Sequence, residues 1–191
     1  MGCPAPRPWR PTKDQIAAAR GKRVPDIIAP GLDVLFCGIN PGLYSAATGR
    51  HFARPGNRFW PVLHRSGFTP RLLDPAEQDR LLELGLGITN LVERATGGAA
   101  ELRPAELREG GELLVAKLRR YRPAWVAFLG LGAFGTAFGL RQPKVGPAPA
   151  LVGGTRAWLL PNPSGLNAHY RPAELAAAFA ELRKAATFGG A

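Results

Sequence analysis

Short apolar runs alternate along the chain with segments in which apolar residues recur every three or four positions. Such runs are typical of strands buried on both faces, and such spacing is typical of helices. We predict strands at Asp33–Ile39, Gly87–Leu91, Trp125–Leu129 and Ala157–Leu160. We predict helices at Asn57–Ser66, Pro75–Leu84, Pro104–Tyr121, Leu131–Phe138 and Pro172–Ala186, with a short helix around Asp14–Arg20 and a Pro/Gly-rich loop at Gln142–Gly154.

The order of these elements predicts an α/β fold. Strands that alternate with helices through short connections form a three-layer α/β/α sandwich around a mainly parallel central sheet. We assign this sandwich to a single domain at residues 26–191. Ligands of such sheets bind beyond the carboxyl ends of the strands. Two strands end in turn-forming sequences, GINPG at residues 38–42 and PNPSG at residues 161–165, so we expect both loops to face one crevice.

Composition adds a strong positive charge to this picture. The 191 residues are 46% apolar, which suits a globular core, and 25 Lys and Arg against 14 Asp and Glu give a net charge of +11. This excess favours a polyanionic partner, and nucleic acid is the commonest one, although a merely basic protein has the same balance. Residues 1–25 form a basic arm, either flexible until DNA orders it or a solvated tail without function.

The cysteine, histidine and apolar patterns argue against a disulfide-rich, metal-binding, membrane-spanning or secreted protein. Cys37 lies in an apolar run, where a buried free thiol is expected, and it forms no disulfide framework with Cys3. His51, His64 and His169 lack ligand spacing, so we expect no metal site. No run approaches the ~20 apolar residues of a membrane span, and the N-terminus lacks an apolar signal core. We expect a monomeric protein of the cytoplasm, associated with the nucleoid.

One glycine pattern imitates a dinucleotide site. Residues 130–135 read GLGAFG, which matches G-x-G-x-x-G after a predicted strand and before a predicted helix. A dinucleotide site also needs an acidic residue about 20 positions later for the ribose hydroxyl. No Asp or Glu occurs between Glu112 and Glu174. We therefore interpret the glycines as close helix–sheet packing and expect no cofactor.

The two strand-end loops carry the candidate chemistry. Pro41 and Gly42 fix Asn40 at a strand tip, where its carboxamide either holds a water or reads a polar ring, or else bonds its own turn. In the second loop Leu166 is a large apolar residue among polar neighbours. In a basic protein such a residue can act as a wedge that enters the base stack, with Asn167 beside it to contact a base edge.

Together the loops resemble the signature motifs of the uracil-DNA glycosylase superfamily, most of all its mismatch-specific uracil-DNA glycosylase and thymine-DNA glycosylase branch. The resemblance runs from about Ile28 to Arg183 and is carried by GINPGL at residues 38–43, NPSGLN at residues 162–167 and NRFW at residues 57–60. It implies a monofunctional glycosylase that flips uracil, or thymine and related pyrimidines, from G:U and G:T mispairs in double-stranded DNA. Such an enzyme would hydrolyse the N-glycosidic bond and leave an abasic site for base excision repair. The alternative is a sister glycosylase for damaged bases or single strands.

The resemblance also implies roles in the base pocket. Asn40 would position the water that attacks the sugar, and Phe52 would stack on the flipped base. Backbone groups of Ile39 and Phe52 would read the polar edge of the base, and Ser45 would lie near its C5 position. Asn162 stands where other branches carry a histidine that polarises a base oxygen.

Further roles concern the DNA around the pocket. Leu166 would fill the vacated stack, Gly165 would allow close backbone approach, and Asn167 would bond the orphaned guanine. We expect Ser164 to bind phosphate, with Arg58 or Arg171 adding charge. Glu93, just after the GITNL strand, either supplies a carboxylate to the crevice or is a surface acid paired with Arg94 or a neighbouring base.

Overall fold

Strands and helices alternate in the computed structural model, which describes residues 10–165 and 169–188. The strands are β1 (Val34–Gly38), β2 (Leu86–Asn90), β3 (Trp125–Leu129), β4 (Gly146–Pro147) and β5 (Arg156–Leu160). The α-helices are α1 (Lys13–Ala17), α2 (Leu43–Thr48), α3 (Phe59–Arg65), α4 (Pro104–Tyr121), α5 (Leu131–Phe138) and α6 (Pro172–Phe188). Residues Pro75–Leu84 and Ala99–Glu101 form 3-10 helices.

The central sheet has the strand order β2-β1-β3-β5-β4. The first four strands run parallel, with Phe36 of β1 between Ile88 of β2 and Ala127 of β3. β4 is antiparallel to β5 at the edge of the sheet. Since parallel neighbours need crossover connections, helices must cover both faces of the sheet. The predicted mainly parallel sheet is confirmed.

Alternate residues of each central strand enter two separate cores. Val34 and Phe36 of β1 pack in one cluster with apolar residues of α3 and α6. Leu35 and Cys37 point to the opposite face and pack in a second cluster with residues of α4 and α5. Cys37 is free and buried, as predicted, and burial raises the pKa of its thiol. The sheet therefore lies between two helical layers, which confirms the predicted three-layer sandwich.

The structure departs from the predicted elements in three places. Helix α2 has only six residues, too few for a periodic apolar pattern, and was not predicted. The predicted helix at Pro75–Leu84 is a 3-10 helix with a kink at Glu77. The predicted loop Gln142–Gly154 contains β4, a strand of two residues that shows no pattern of its own. An ideal Cβ at Gly130 would lie 2.9 Å from Ile39 Cδ1, just beyond β1, and one at Gly135 would lie 2.8 Å from Leu140 O, whereas Gly132 has open space. The GLGAFG glycines therefore allow close approach to neighbouring loops, which differs from the helix–sheet packing predicted for them.

The part of the basic arm that the structure describes is folded against the domain. Helix α1 begins with a capping box in which Thr12 and Gln15 exchange hydrogen bonds, and it packs on α2. Ala19 and Val24 are buried in a small core with Ala46 and Ala95. Residues 1–9 of the arm lie outside the described residues. No helix in the described ranges is long and apolar enough to cross a bilayer.

Candidate active site

A cavity of about 200 Å³ opens at the carboxyl edge of the sheet. All four parallel strands contribute to it, since Gly38, Asn90 and Leu129 end β1, β2 and β3, and Asn162 follows β5 by two residues. This volume is below the roughly 300–1,000 Å³ of sites for drug-sized ligands and suits a single ring. The strand-end position is the one at which parallel sheets bind ligands.

The two signature loops meet over this cavity. Asn40 lies beyond the end of β1, and Asn162 and Ser164 lie beyond β5, with β3 between them in the sheet. The loops converge because the carboxyl ends of parallel strands share one edge of the sheet. Leu166 and Asn167 lie outside the described residues.

The carboxamide of Asn40 is held in one orientation. Its Nδ2 donates to the carbonyl oxygen of Arg94 at 3.1 Å, to that of Pro41 at 3.3 Å and to Thr96 Oγ1 at 2.8 Å. Carbonyl oxygens only accept, so these partners identify the nitrogen and leave Oδ1 as the other terminal atom. No donor in the described part of the chain bonds Oδ1. The cavity-lining Asn40 therefore has an acceptor available for a water.

Residues 94–98, the anchor loop, carry two of the three acceptors for Asn40. Thr96 Oγ1 accepts from Asn40 and donates to the carbonyl oxygen of Gly98 at 2.8 Å, and Thr96 N donates to Pro41 O. Thr96 is fully buried. The Arg94 side chain is fixed on α4 by Glu106, and this ion pair lowers the pKa of Glu106 to about 2. The orientation of Asn40 thus depends on a loop more than 50 residues away in sequence.

Phe52 provides an aromatic wall. Its ring stacks on Phe59 with centroids 4.2 Å apart, and Phe59 is fully buried, so the wall is supported from behind. Its backbone has φ of 54°, a left-handed conformation that is rare for residues other than glycine and recurs at functional sites. Gly38 forms the adjoining floor, because an ideal Cβ there would lie 3.2 Å from Phe52 Cζ.

Ser45 and Ile39 also line the cavity. Ser45 is a buried residue of α2, and its Oγ accepts from the backbone N of Ala53 at 3.2 Å, which connects α2 to the Phe52 segment. The carbonyl oxygen of Ile39 accepts from Val92 N at 2.9 Å. That carbonyl is therefore already engaged in joining the ends of β1 and β2.

His51 and Asn90 form a buried pair in the cavity. His51 Nε2 lies 2.8 Å from the carbonyl oxygen of Pro25, an acceptor only, so Nε2 carries the proton. Nδ1 is then the acceptor for Asn90 Nδ2 at 3.5 Å. Burial lowers the pKa of His51 below its ordinary value of 6.5, which favours this neutral form. Asn90 Oδ1 would lie 2.6 Å from a Cβ at Gly38, so this amide also borders the floor.

The structure does not bring Glu93 into this cavity. Glu93 lies in a separate depression with Arg23 and Lys117, and its carboxylate is 2.9 Å from the guanidinium of Arg23. Arg94, the partner considered for it from the sequence, pairs with Glu106 instead. No Asp or Glu lines the cavity in the described part of the chain. Glu93 therefore occupies the surface-acid position, with Arg23 as its base.

Arg58 connects the second loop to the domain. Its Nη1 donates to Tyr170 O and its Nη2 to Ser164 O, each at 2.7 Å. Both terminal nitrogens are thus committed to backbone oxygens, which differs from the phosphate contact expected for Arg58. Ser164 N donates to Asn162 Oδ1 at 2.9 Å, so the Asn162 side chain shapes its own turn.

Gly165 and the nearby arginines lie at the mouth of the cavity or outside it. A Cβ at Gly165 would lie 2.4 Å from Gly56 O, so the close approach that this glycine allows is to a neighbouring loop. Arg171 is exposed at the start of α6. Arg54 is exposed and lines the cavity, which Arg171 does not.

Sequence reasoning missed several residues of this site. His51 was considered only as a metal ligand, and Arg54, Asn57 and Thr96 were not considered for the pocket. Asn57 lies in the NRFW segment that carried the resemblance, and His51 and Arg54 lie within two positions of Phe52, so proximity in sequence was an available signal. Thr96 had none, since only the tertiary contact with Asn40 shows its role.

The described residues thus form an α/β/α fold in which two strand-end loops converge on a cavity at the carboxyl edge of the sheet, and no described residue contributes a carboxylate to it. A model of the uracil DNA glycosylase superfamily matches residues 25–183. The chain belongs to this superfamily. Membership indicates a hydrolase of DNA repair, a DNA glycosylase that acts on uracil.

Proposed function

We propose that this protein is a monofunctional, mismatch-specific DNA glycosylase that removes uracil, and thymine or related pyrimidines, from G:U and G:T mispairs. The observation that carries the proposal is the Asn40 amide, which has a fixed nitrogen and an available oxygen in a cavity to which no described residue contributes a carboxylate. The product is an abasic site, the substrate for base excision repair.

The base pocket is assigned to the aromatic end of the cavity. Phe52 offers a stacking surface for the flipped pyrimidine, supported from behind by Phe59. The oriented amide of Asn90 lies beside the floor at Gly38, where it can bond the polar edge of the base. Ser45 lies in the wall, so its side chain limits the group that fits at C5. Ile39 completes the pocket.

Asn40 Oδ1 accepts a hydrogen bond from the attacking water and directs its oxygen toward C1′ of the deoxyribose. An amide has no basic pKa in the useful range, so it orients the water and is a poor proton acceptor. The C1′–N1 bond breaks with its electron pair leaving on uracil, a resonance-stabilised anion that hydrogen-bond donors of the pocket stabilise. The water oxygen bonds to C1′, and the proton that it loses passes through solvent to the uracil anion. The sugar passes through an oxocarbenium-like state, as in other glycoside cleavage. We therefore expect slow turnover.

Mismatch preference follows from the energy of base flipping. Extrusion of a base costs a few kcal/mol and costs least where the pair is already weak. Leu166 is proposed to enter the vacated stack and Asn167 to bond the orphaned guanine. The clamp between Arg58 and the Ser164 carbonyl supports this assignment, because it fixes Ser164, which lines the cavity and precedes Leu166 by two positions in the sequence.

The partner is double-stranded DNA, bound by a monomer in the nucleoid. The net charge of +11 supports binding to the phosphate backbone. Arg54 and Ser164, which both line the cavity and the depression next to it, are assigned to phosphate contact, and Arg171, which lines neither, adds charge from the surface.

The test is a glycosylase assay on matched duplexes containing G:U, G:T or A:U and on single-stranded uracil DNA. We expect release of the free base and alkali-labile abasic DNA, fastest from G:U, with no strand break before alkali. Asn40→Ala is the control for contaminating activity. Equal rates on single strands would favour the broader sister enzyme, and binding without base release would refute the proposal.

A further inference from the structure

Residues 10–24 precede the superfamily match, which begins at residue 25, yet they pack against α2, an element that lines the cavity. Helix α1 contacts α2, the helix that carries Ser45. Ala19 is 0% exposed and shares a core with Ala95, which is also 0% exposed. This segment therefore packs behind elements that line the site, without lining the cavity itself.

The segment holds Ala95 by its backbone on both sides. Gly21 N donates to Ala95 O at 2.9 Å, and Ala95 N donates to Lys22 O at 2.8 Å. Ala95 lies between Arg94 and Thr96, the two anchor-loop residues that accept from Asn40 Nδ2. Each hydrogen bond that fixes Ala95 therefore also fixes an acceptor of the Asn40 amide.

A side-chain contact also connects residues 10–24 to the segment that follows the anchor loop. Arg20 forms an ion pair with Glu101, in the 3-10 helix that follows the anchor loop, and this pair lowers the pKa of Glu101. Both side chains are about half exposed, so the ion pair adds little to the free energy of unfolding. Its main effect is on the position of the loop. The burial of Ala19 and the backbone bonds to Ala95 carry most of the contact.

We propose that residues 10–24 are a positioning element that holds the anchor loop and thereby aligns the Asn40 amide for attack by water. The inference rests on the proposed role of Asn40. When the segment detaches, Arg94 O and Thr96 Oγ1 lose their fixed places, and the amide is free to rotate its oxygen away from the water. A displacement of about 1 Å in a reacting group costs about 10²-fold in rate.

Gly21→Val tests this directly. Gly21 has φ of +76° with no atom within 4 Å of an ideal Cβ, so valine meets no clash but cannot easily adopt this backbone conformation. Gly31→Val is the matched control, because Gly31 has φ of +70°, equally open space and no contact with the site. Both variants carry the same backbone cost, and only Gly21 bonds Ala95.

The readout is single-turnover release of uracil from a G:U duplex with enzyme in excess, together with duplex affinity. We expect Gly21→Val to be about 10–100-fold slower with affinity within about threefold of wild type, and Gly31→Val to match wild type. In an Asn40→Ala background Gly21→Val should have little further effect, because the segment acts through that amide.

Charge reversal supplies a second test that leaves the backbone intact. Arg20→Glu should slow uracil release by about threefold. The double variant that also carries Glu101→Arg exchanges the two charges and should restore the wild-type rate. Equal rates for Gly21→Val and Gly31→Val, or a full additional loss in the Asn40→Ala background, would overturn the positioning role alone. A wild-type protein that releases no uracil would overturn the proposed function and this inference together.

Discussion

Gly38→Ala probes the floor of the cavity with a single methyl group. An ideal Cβ at this position lies 2.6 Å from Asn90 Oδ1 and 3.2 Å from Phe52 Cζ. Ordinary contact begins near 3.4 Å, so the amide must move by about 0.8 Å and the ring by a few tenths of an ångström. Phe52 stacks on Phe59 and Asn90 is hydrogen-bonded to His51, so neither side chain can move aside without losing a contact.

The expected effect of Gly38→Ala is larger on catalysis than on folding. Overpacking of this kind destabilises by about 1–3 kcal/mol. Displacement of pocket groups by nearly an ångström lowers the rate by about 10²-fold. Single-turnover uracil release at saturating enzyme measures the second effect, and urea unfolding measures the first. A weaker affinity for free uracil should accompany the lower rate, because the methyl group occupies space assigned to the base.

Gly132→Ala is the matched control for this substitution. Gly132 lies in helix α5 and has an ordinary backbone conformation, and no described residue outside its own helix turn has an atom within 4 Å of an ideal Cβ. We expect this variant to release uracil at the wild-type rate and to be at least as stable, since alanine favours helix. A folded Gly38→Ala protein with the wild-type rate would refute the assignment of the base pocket to this floor.

Four further predictions follow from the site. Asn40→Ala should lower uracil release by about 10²–10⁴-fold with DNA affinity unchanged, and a smaller loss in the single-turnover assay would show that Asn40 does not position the water. Glu93→Gln should release uracil within about twofold of wild type, because the carboxylate lies outside the cavity, and a tenfold loss would restore it as a candidate. Duplex affinity should fall steeply between low and physiological salt, with a log–log slope that titration by fluorescence anisotropy can measure, and a flat response would exclude phosphate contacts. Burial lowers the pKa of His51 from its ordinary value of 6.5. As the pH falls, the unfolded chain therefore takes up this proton before the folded protein does. The free energy of unfolding should decrease below pH 6.5 until the pH passes the folded-state pKa. Urea unfolding over this range should show a smaller decline for His51→Gln, and an NMR titration in which the folded imidazole titrates at or above 6.5 would contradict the burial argument.

Local sequence patterns were enough to predict the layers of the fold and the edge of the sheet at which the site lies. Apolar runs such as Trp125–Leu129 are local signals, because burial on both faces requires consecutive apolar residues whatever the chain does elsewhere. The strand-end loop at Asn40 was found in the same way, since a rigid turn after a buried strand is written in adjacent residues. Residues 10–24 looked like a separate basic arm, because their short helix and scattered alanines show no long apolar period.

The hydrogen-bond and ion-pair partners of individual side chains became known only from the tertiary structure. Asn40 and Thr96 are 56 positions apart, and their hydrogen bond exists because the ends of β1 and β2 are neighbours in the sheet. Long-range packing also pairs Glu93 with Arg23 and brings Arg58 into hydrogen bonds with backbone oxygens. Both residues were functional candidates from the sequence. Periodicity fixes which face of an element is buried, whereas the partner of a polar side chain depends on long-range packing that no local pattern encodes.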